Sequence, residues 1–430
     1  MTVATLLERR RKISGRNTLL FYDEPLQVAR GEDVWLFDTN GKRYLDVYNN
    51  VPHVGHCHPH VVDALCRQAR EVNVHTRYLH EEMIRYGERL TALFDDPLSM
   101  ALFTCSGTEA NELALRMSRY LTGNRGIIVS DFSYHGNSLT LAEATTGLPA
   151  PEALAPHVRA VRIPDMHYHE GEAPEAVARA YVQQVEQAVK SLQDAGHGVA
   201  SMLFDTIFST EGLPAVPSGY LAEAVSVVRK AGGLFIADEV QPGFGRTGAG
   251  MWGYSLHGLV PDFVTMGKPM GNGHPLAGLV TTAEIVDRFA SAAVYFNTFG
   301  GNPVSAAVGN AVLDVIERQG LVENARVQGA YLQQRLGELM GRNERISAVR
   351  GQGLFFGLEF VTNRNTARTP DAAFTNRVVN MAKEEGVLIS RAGRDGNILK
   401  MRPPITFQQE HCDMLLATLD KVLAKAEGAQ

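Results

Sequence analysis

Cysteine is scarce: four residues in 430, Cys57, Cys66, Cys105 and Cys412. Their spacing forms no disulfide framework, which excludes a small cross-linked scaffold and points to reduced thiols in a reducing compartment. Apolar runs long enough to span a bilayer are missing. The amino terminus, MTVATLLERRRK, lacks the ordered charged, apolar and small-residue regions of a secretory signal. These absences point to a cytoplasmic protein with no membrane partner. A basic excess is missing too. The 41 Lys and Arg stand against 47 Asp and Glu, for a formal net charge of −6, which excludes a general nucleic-acid-binding surface. The one basic cluster, Glu8 to Lys12, reads as the solvated face of a polar helix ending near Ser14. Internal repeats and low-complexity linkers are also lacking, so the domains should pack closely rather than hang on tethers.

What is present is the material of a large globular chain, 45% hydrophobic and 20% charged. VWLFDTNGKRYLDVY sets Asn40-Gly41 between two alternating apolar runs, a β-hairpin signal. HVGHCHPH then crowds His53, His56, Cys57, His58 and His60 together. These lie in a Gly/Pro-interrupted turn with no second cluster to close a coordination sphere, so they read as a turn into a helix over 59–72 and not as a metal site. From Ala101, strand-like runs alternate with amphipathic ones: MALFTC, GIIVSDF, VASMLFD, GLFIADE, DFVTM and LAGLVTT. That alternation predicts an α/β fold with a mostly parallel sheet and crossover helices. The stretch 147–174 reads as an irregular excursion. After Pro303 two long helices are followed by strands in GQGLFFGLEFV, GVLIS and ILKMRPP, with helices near 372–385 and 409–425, a smaller α+β layer. The expected division is a segment 1–55 joining the small domain, a large domain over 56–305, and the small domain over 306–430.

The chain is organised around GGLFIADEVQPGFGRTG and the lysine of VTMGKPMGNGHPLAG. One buried strand delivers Asp238 and Glu239 at its carboxyl end, and a second delivers Lys268 into a glycine-rich loop. Open α/β sheets bind ligands at that edge. A lysine amine that is neutral enough forms a Schiff base with a carbonyl. An aspartate facing a pyridinium nitrogen is its partner when the carbonyl belongs to pyridoxal phosphate. SGTEANELALRMSRYL follows a strand directly, so Ser106, Gly107 and Thr108 fall at a helix amino terminus, which favours an anion. FSYHG supplies Tyr134, able to stack on a flat ring, and His135. NTFGGNP offers Thr298 among glycines for a phosphate contact. Arg402, at the end of a strand, and Arg77, with its neighbour Tyr78, are candidates for holding an anionic group of the substrate. GFGRTG matches G-x-G-x-x-G after a strand. No helix continues from it, however, and the strand end already carries an acid, so a dinucleotide site is rejected.

Taken in order, the GHCHP turn, SGTEANELALR, YHG, DEVQPGFGRTG, TMGKPMGNGHP, FNTFGGNP and the late RPP resemble the class III aminotransferases. These are pyridoxal-phosphate enzymes of fold type I, with a large domain holding the sheet and a smaller α+β domain. The resemblance implies a homodimer or homotetramer with shared active sites. It implies that Lys268 carries the cofactor and that Asp238 pairs with its ring nitrogen. Val240 lies against the ring opposite Tyr134, Gln241 lies near the phenolic oxygen, and Thr298 reaches in from a neighbouring subunit. Where the family often has a glutamate at the end of the strand before SGYL, here SMLFD, Asp205 takes the position, with Glu211 a second candidate. NNVPHVGHCHP, TRYLHE and ILKMRPP are most similar to a branch that holds ethanolamine-phosphate phospho-lyases and alanine–glyoxylate-like aminotransferases.

The reaction this implies is transfer of an amino group from an amine or (omega-)amino acid to an oxo acid such as pyruvate, through a Schiff base on Lys268. The alternative is elimination of phosphate from ethanolamine phosphate or a related phospho-amine. The branch's phospho-lyases carry Lys where this chain has Arg402, which tilts the expectation towards transamination. A catalytically dead binding protein is disfavoured because Lys268 and Asp238 are both present.

Overall fold

The computed structural model describes residues 3–17, 19–366 and 368–428. The amino-terminal helix Val3–Ser14 buries none of its residues, as its polar sequence predicts; Met1 and Thr2 lie outside the described residues.

The centre is a seven-stranded sheet. Its spatial order is Leu98–Thr104, Ala277–Thr282, Phe263–Met266, Leu234–Asp238, Ser201–Asp205, Ile127–Ser130 and Val158–Val161. The last five run parallel, and Ala277–Thr282 is antiparallel to both its neighbours. The apolar runs are continuous because both faces of the sheet are covered. Phe235 and Ala237 pack into one core cluster while Ile236 between them packs into the other. Helix Gly107–Thr122 covers one face through Leu113, Ala114 and Met117. Helices Pro174–Asp194 and Tyr220–Lys230 cover the opposite face through Val185, Leu221 and Val228. Each of the larger of these side chains contributes about 1.5–3 kcal/mol by leaving water.

Two local expectations are corrected. The stretch 147–174 is not wholly irregular: Val158–Val161 forms the edge strand, parallel to Ile127–Ser130, and Met166–Tyr168 a 3-10 turn. Four residues with Arg159 half-buried and Ala160 exposed give no period to read, and the sheet edge supplies the order instead. GQGLFFGLEFV is not one strand but the turn and second arm of a hairpin, Ile346–Gln352 with Phe355–Phe360. Gly351 and Gly353, at φ +93° and +58°, make the reversal.

The Asn40-Gly41 hairpin forms as predicted, between Trp35–Asp38 and Arg43–Asp46. Its second strand pairs in parallel with Val387–Leu388, joining the amino-terminal segment to the carboxy-terminal part of the chain. Helix Pro303–Arg318 packs against Pro59–Glu71 and Glu81–Thr91.

Candidate active site

Strand register assembles the site. Asp205 pairs with Asp238, and Asp238 with Thr265, so three residues far apart in sequence stand side by side at the carboxyl edge. Lys268 follows three residues after Thr265, at the start of a 3-10 turn, with φ +24°. A non-glycine residue at positive φ is uncommon, and such strain concentrates at functional sites. The cavity at this edge is about 410 Å³. It is lined by Lys268, Asp238, Asp205, Val240, Gln241, Tyr134, His135 and the turn Ser106–Thr108, among others.

Asp238 is buried and fully engaged. Its Oδ2 accepts from Nδ1 of His135 (2.8 Å) and from Nδ2 of Asn111 (3.0 Å), and its Oδ1 accepts from the Val240 amide (3.0 Å). Burial by itself would raise its pKa. The His135 bond and charge, the Val240 amide and Lys268 outweigh that, and the carboxyl is held below its ordinary range. Asn111, fully buried, also donates to the His135 carbonyl and accepts from Thr265 Oγ1, so its amide is satisfied on both sides. Glu239, the next residue along the strand, faces the other way. It accepts from Thr206 Oγ1 and the amides of Gly253 and Tyr254 and anchors the following loop rather than the cavity.

Lys268 has its pKa lowered by burial and by the Arg402 guanidinium, against the opposing pull of Asp238 and Asp205. More of its amine is therefore neutral, as a Schiff-base nucleophile requires. Asp205 is raised, by burial and the charge of Asp238. It accepts from Ser209 Oγ, which in turn accepts from Gln241 Nε2, while Gln241 Oε1 accepts from Arg402. The chain of bonds thus runs from Arg402 to Asp205. Lys400, two residues before Arg402 on the same strand face, donates to the Ser209 carbonyl at 3.0 Å. Burial and Arg402 hold its pKa well below normal.

The phosphate end is a helix terminus. Ser106 Oγ accepts from the Glu109 amide (3.3 Å), and Glu109 Oε2 accepts from the Ser106 amide (3.1 Å). This capping box leaves the first helical amides, at Gly107 and Thr108, directed out of the helix end. A Cβ at Gly107 would come within 2.9 Å of Val240 Cγ2, and one at Gly136 within 2.8 Å of Thr108 Oγ1. Glycine at these positions lets the helix end pack close to Val240 and the Tyr134–Gly136 turn pack close to Thr108. An anion cradle, a ring-facing tyrosine, a buried carboxylate and a poised amine together fit pyridoxal phosphate. Ser106, Gly107 and Thr108 would hold its phosphate, Tyr134 and Val240 its ring, and Asp238 its nitrogen.

Four candidate residues lie elsewhere in the single chain. Thr298 is exposed. Arg77 is exposed and stacks on Phe296 at 3.9 Å. Tyr78 is 61% exposed and stacks on His75. Glu211 lines a different cavity with Asp131 and Arg350. Its Oε1 accepts from Ser130 and its buried Oε2 has no partner. Burial and Asp205 push its pKa from 4.5 to about 8. A raised acid pKa keeps the proton in the folded state longer than in the unfolded one, so stability falls as pH rises from about 4.5 to about 8. Glu211→Gln mimics the protonated form. Its melting temperature, followed by calorimetry, should fall less across that window than the parent's, by about 2 °C or more. Parallel profiles would show that Glu211 is not protonated in the fold.

The histidines have protein partners of their own. His56 faces Asp46 at 2.7 Å, His60 faces Asp314 at 2.8 Å, and His53 is buried against Phe244 and Arg246. Among the described residues no group of three His, Cys, Asp or Glu could hold a metal ion. Asn111, Ser209 and Lys400 were not picked out by sequence reasoning. Asn111 had a visible signal, a polar residue on the apolar side of a helix; Ser209 and Lys400 had none.

Fold and site together fit an enzyme with room for a phosphate-bearing ring beside a buried lysine. Comparison with known proteins makes this specific. The model of the class-III aminotransferases matches residues 21–423. The alanine–glyoxylate aminotransferase 2-like protein of Drosophila melanogaster is 40% identical over 433 residues, covering 96% of this chain and 87% of that one. The ethanolamine-phosphate phospho-lyase homolog 1 of Caenorhabditis elegans is 34% identical over 434 residues, covering 97% and 93%. A solved phospholyase from Arthrobacter, in complex with phosphoethanolamine, superposes with a TM-score of 0.96 at 50% identity, covering 97% of this chain and 99% of that one. The chain belongs to the class III aminotransferase family, and its cofactor is pyridoxal phosphate.

Proposed function

We propose that the protein takes a small primary amine carrying an anionic group and transfers its amino group to an oxo acid such as pyruvate. The observation that carries the anionic part is the charge balance around Arg402. That guanidinium donates only to neutral acceptors, the Tyr48 carbonyl at 2.8 Å and Gln241, and stacks on Tyr48. No carboxylate lies within ion-pair distance of Arg402 or Lys400 among the described residues. A half-buried cation without a counter-ion is poised for one from the substrate.

When bound, pyridoxal phosphate supplies the carbonyl for the amine and a ring that takes up electron density. Lys268 would hold the cofactor through its Nζ and, with that amine free, would take the proton from the substrate Cα. Asp238 keeps a proton at the ring nitrogen. Arg402 orients the anion, and Gln241 and Ser209 hold the guanidinium in line.

One observation favours a second reaction at the same site. The 50% identical neighbour is a phospholyase in complex with phosphoethanolamine, and its identity to this chain exceeds the 40% of the aminotransferase-named relative. In that reaction the Cα proton is taken, phosphate leaves with the electron pair of its C–O bond, and water releases acetaldehyde and ammonia. The deciding test is phosphate release from ethanolamine phosphate without an oxo acid, with the visible absorbance of the lysine-bound cofactor followed in the same cuvette. Transamination predicts no phosphate, with absorbance bleached by amine and restored by pyruvate. Sustained phosphate release with the absorbance retained means elimination.

The reading includes a homodimer with shared sites. Its support is the exposure of Val294 (86%) and Phe299 (69%) on either side of Thr298 in the chain, and of Leu79 (95%) beside Tyr78 in the chain. Arg77 stacks on Phe296, two residues from Thr298, so a neighbour that brings Thr298 to the phosphate end brings Arg77 and Tyr78 with it. The four unpaired thiols support a cytoplasmic location, and no helix among the described residues is long and apolar enough to cross a membrane. The pairing of Arg43–Asp46 with Val387–Leu388 supports grouping segment 1–55 with the small domain over 306–430, beside a large domain over 56–305.

A further inference from the structure

The histidine turn and the GFGRTG loop meet each other behind the cavity. Arg246 of the loop is fully buried. Its Nη1 donates to the carbonyls of Leu354 (3.0 Å) and Pro403 (2.7 Å), and its Nη2 donates to Nδ1 of His53 (3.0 Å). Its Nε has no partner, and no carboxylate pairs with it among the described residues. His53 Nε2–H donates to the Phe244 carbonyl at 2.6 Å, which leaves Nδ1 as the acceptor. Burial and the adjacent Arg246 hold His53 well below its ordinary pKa, so the ring stays neutral.

These contacts converge on the backbone of Arg402. The Pro403 carbonyl belongs to the next residue. The Arg402 amide donates to the Val47 carbonyl (2.7 Å), and the Ile405 amide to the His53 carbonyl (2.8 Å). Asp46, faced by His56, accepts from the amides of Tyr48 and Asn49 and so fixes the turn whose Tyr48 carbonyl receives Arg402 Nε. Arg246 therefore bridges the two segments, 46–53 and 402–405, that hold Arg402 in place. A buried cation with only neutral acceptors is an expensive way to join loops, since apolar packing would do it at lower cost. Its planar fork reaches several acceptors at once, where a lysine gives a flexible point contact.

We propose that Arg246 and His53 form a positioning pair that sets the aim of the Arg402 guanidinium, and with it the cavity's preference for amines bearing an anion. The proposal rests on the reading of Arg402 as the anion's partner.

The test uses the cofactor-loaded enzyme and two amines, phosphoethanolamine and n-propylamine. Binding is read as the amine-dependent change in visible absorbance, alongside steady-state kinetics. Arg246→Lys should weaken phosphoethanolamine about tenfold, the scale of one misaligned charged hydrogen bond. Its kcat should move by less than about threefold, n-propylamine binding should be unchanged, and the cofactor absorbance should be intact. His53→Leu should act in the same direction, and His53→Gln, which keeps an acceptor oxygen, should restore most of the loss. Added to Arg402→Gln, His53→Leu should have no further effect on the preference. If Arg246→Lys does not fold, the His53 variants decide by the same criteria. The proposal is overturned if Arg402→Gln weakens phosphoethanolamine selectively while the Arg246 and His53 variants do not, or if those variants weaken both amines equally. If Arg402→Gln itself leaves the preference unchanged, the reading of Arg402 fails, and the positioning role fails with it.

Discussion

Replacing Lys268 with alanine should remove turnover by a factor of about 10⁴ or more, the upper range for losing a positioned acid–base group, with the nucleophile lost as well. It should also remove the visible absorbance of the lysine-bound cofactor. Both effects follow from one amine serving two steps. Lys268 sits just beyond the end of strand Phe263–Met266, on a strained backbone at φ +24°. Burial and the Arg402 guanidinium lower its pKa, which favours the neutral amine that a nucleophilic role needs. Lys268→Arg should fail as completely, because it keeps the charge but gives up the nucleophile. The control is Lys400, a second amine with a strongly lowered pKa close by. Lys400→Met should retain the absorbance. An absorbance that survives in Lys268→Ala and disappears in Lys400→Met would move the covalent role to Lys400 and defeat the assignment.

Asp238→Asn should lower kcat/KM by about 10³, a loss of the size seen when one preorganised electrostatic group is removed from a closed site. The carboxylate is held ionised by His135, Asn111 and the Val240 amide, and in the proposed mechanism that charge would keep a proton at the cofactor's ring nitrogen. An asparagine keeps the volume but not the charge. It also turns an N–H₂ group towards a donor: either the Val240 amide or the His135–Asn111 pair loses its acceptor. That adds about 1–3 kcal/mol of destabilisation, to be read as a lower melting temperature without loss of folding. A variant within tenfold of the parent in kcat/KM would show that the ring nitrogen does not depend on Asp238.

The parts of the site that were legible in the sequence are those whose chemistry is local. Asp238 and Lys268 each close a short apolar run, and Ser106 to Thr108 begin an amphipathic helix directly after a strand. A run of five to seven residues is enough to read such a signal. The hairpin at Asn40-Gly41 is of the same kind. The edge strand Val158–Val161 was missed because its order comes from Ile127–Ser130 beside it, not from its own pattern. The reversal at Gly351–Gly353 is not legible in GQGLFFGLEFV because that run contains only the second arm whole; the first, Ile346–Gln352, carries Ser347 and Arg350 among its apolar residues and gives no alternation to read.

The sequence by itself determined the chemistry: an amine, an acid and an anion-binding helix end, each delivered by a local element. The tertiary structure decided what stands beside what. Register set Asp205 against Asp238, and packing of helix Gly107–Thr122 put Asn111 on the same carboxylate, 127 residues away in sequence. Arg246 and His53, 193 residues apart, were read as parts of two rejected ligand motifs and proved to be partners. The reason is physical. Backbone conformation follows from near neighbours, but a buried polar group is satisfied only by whatever the whole packed chain brings within about 3 Å of it.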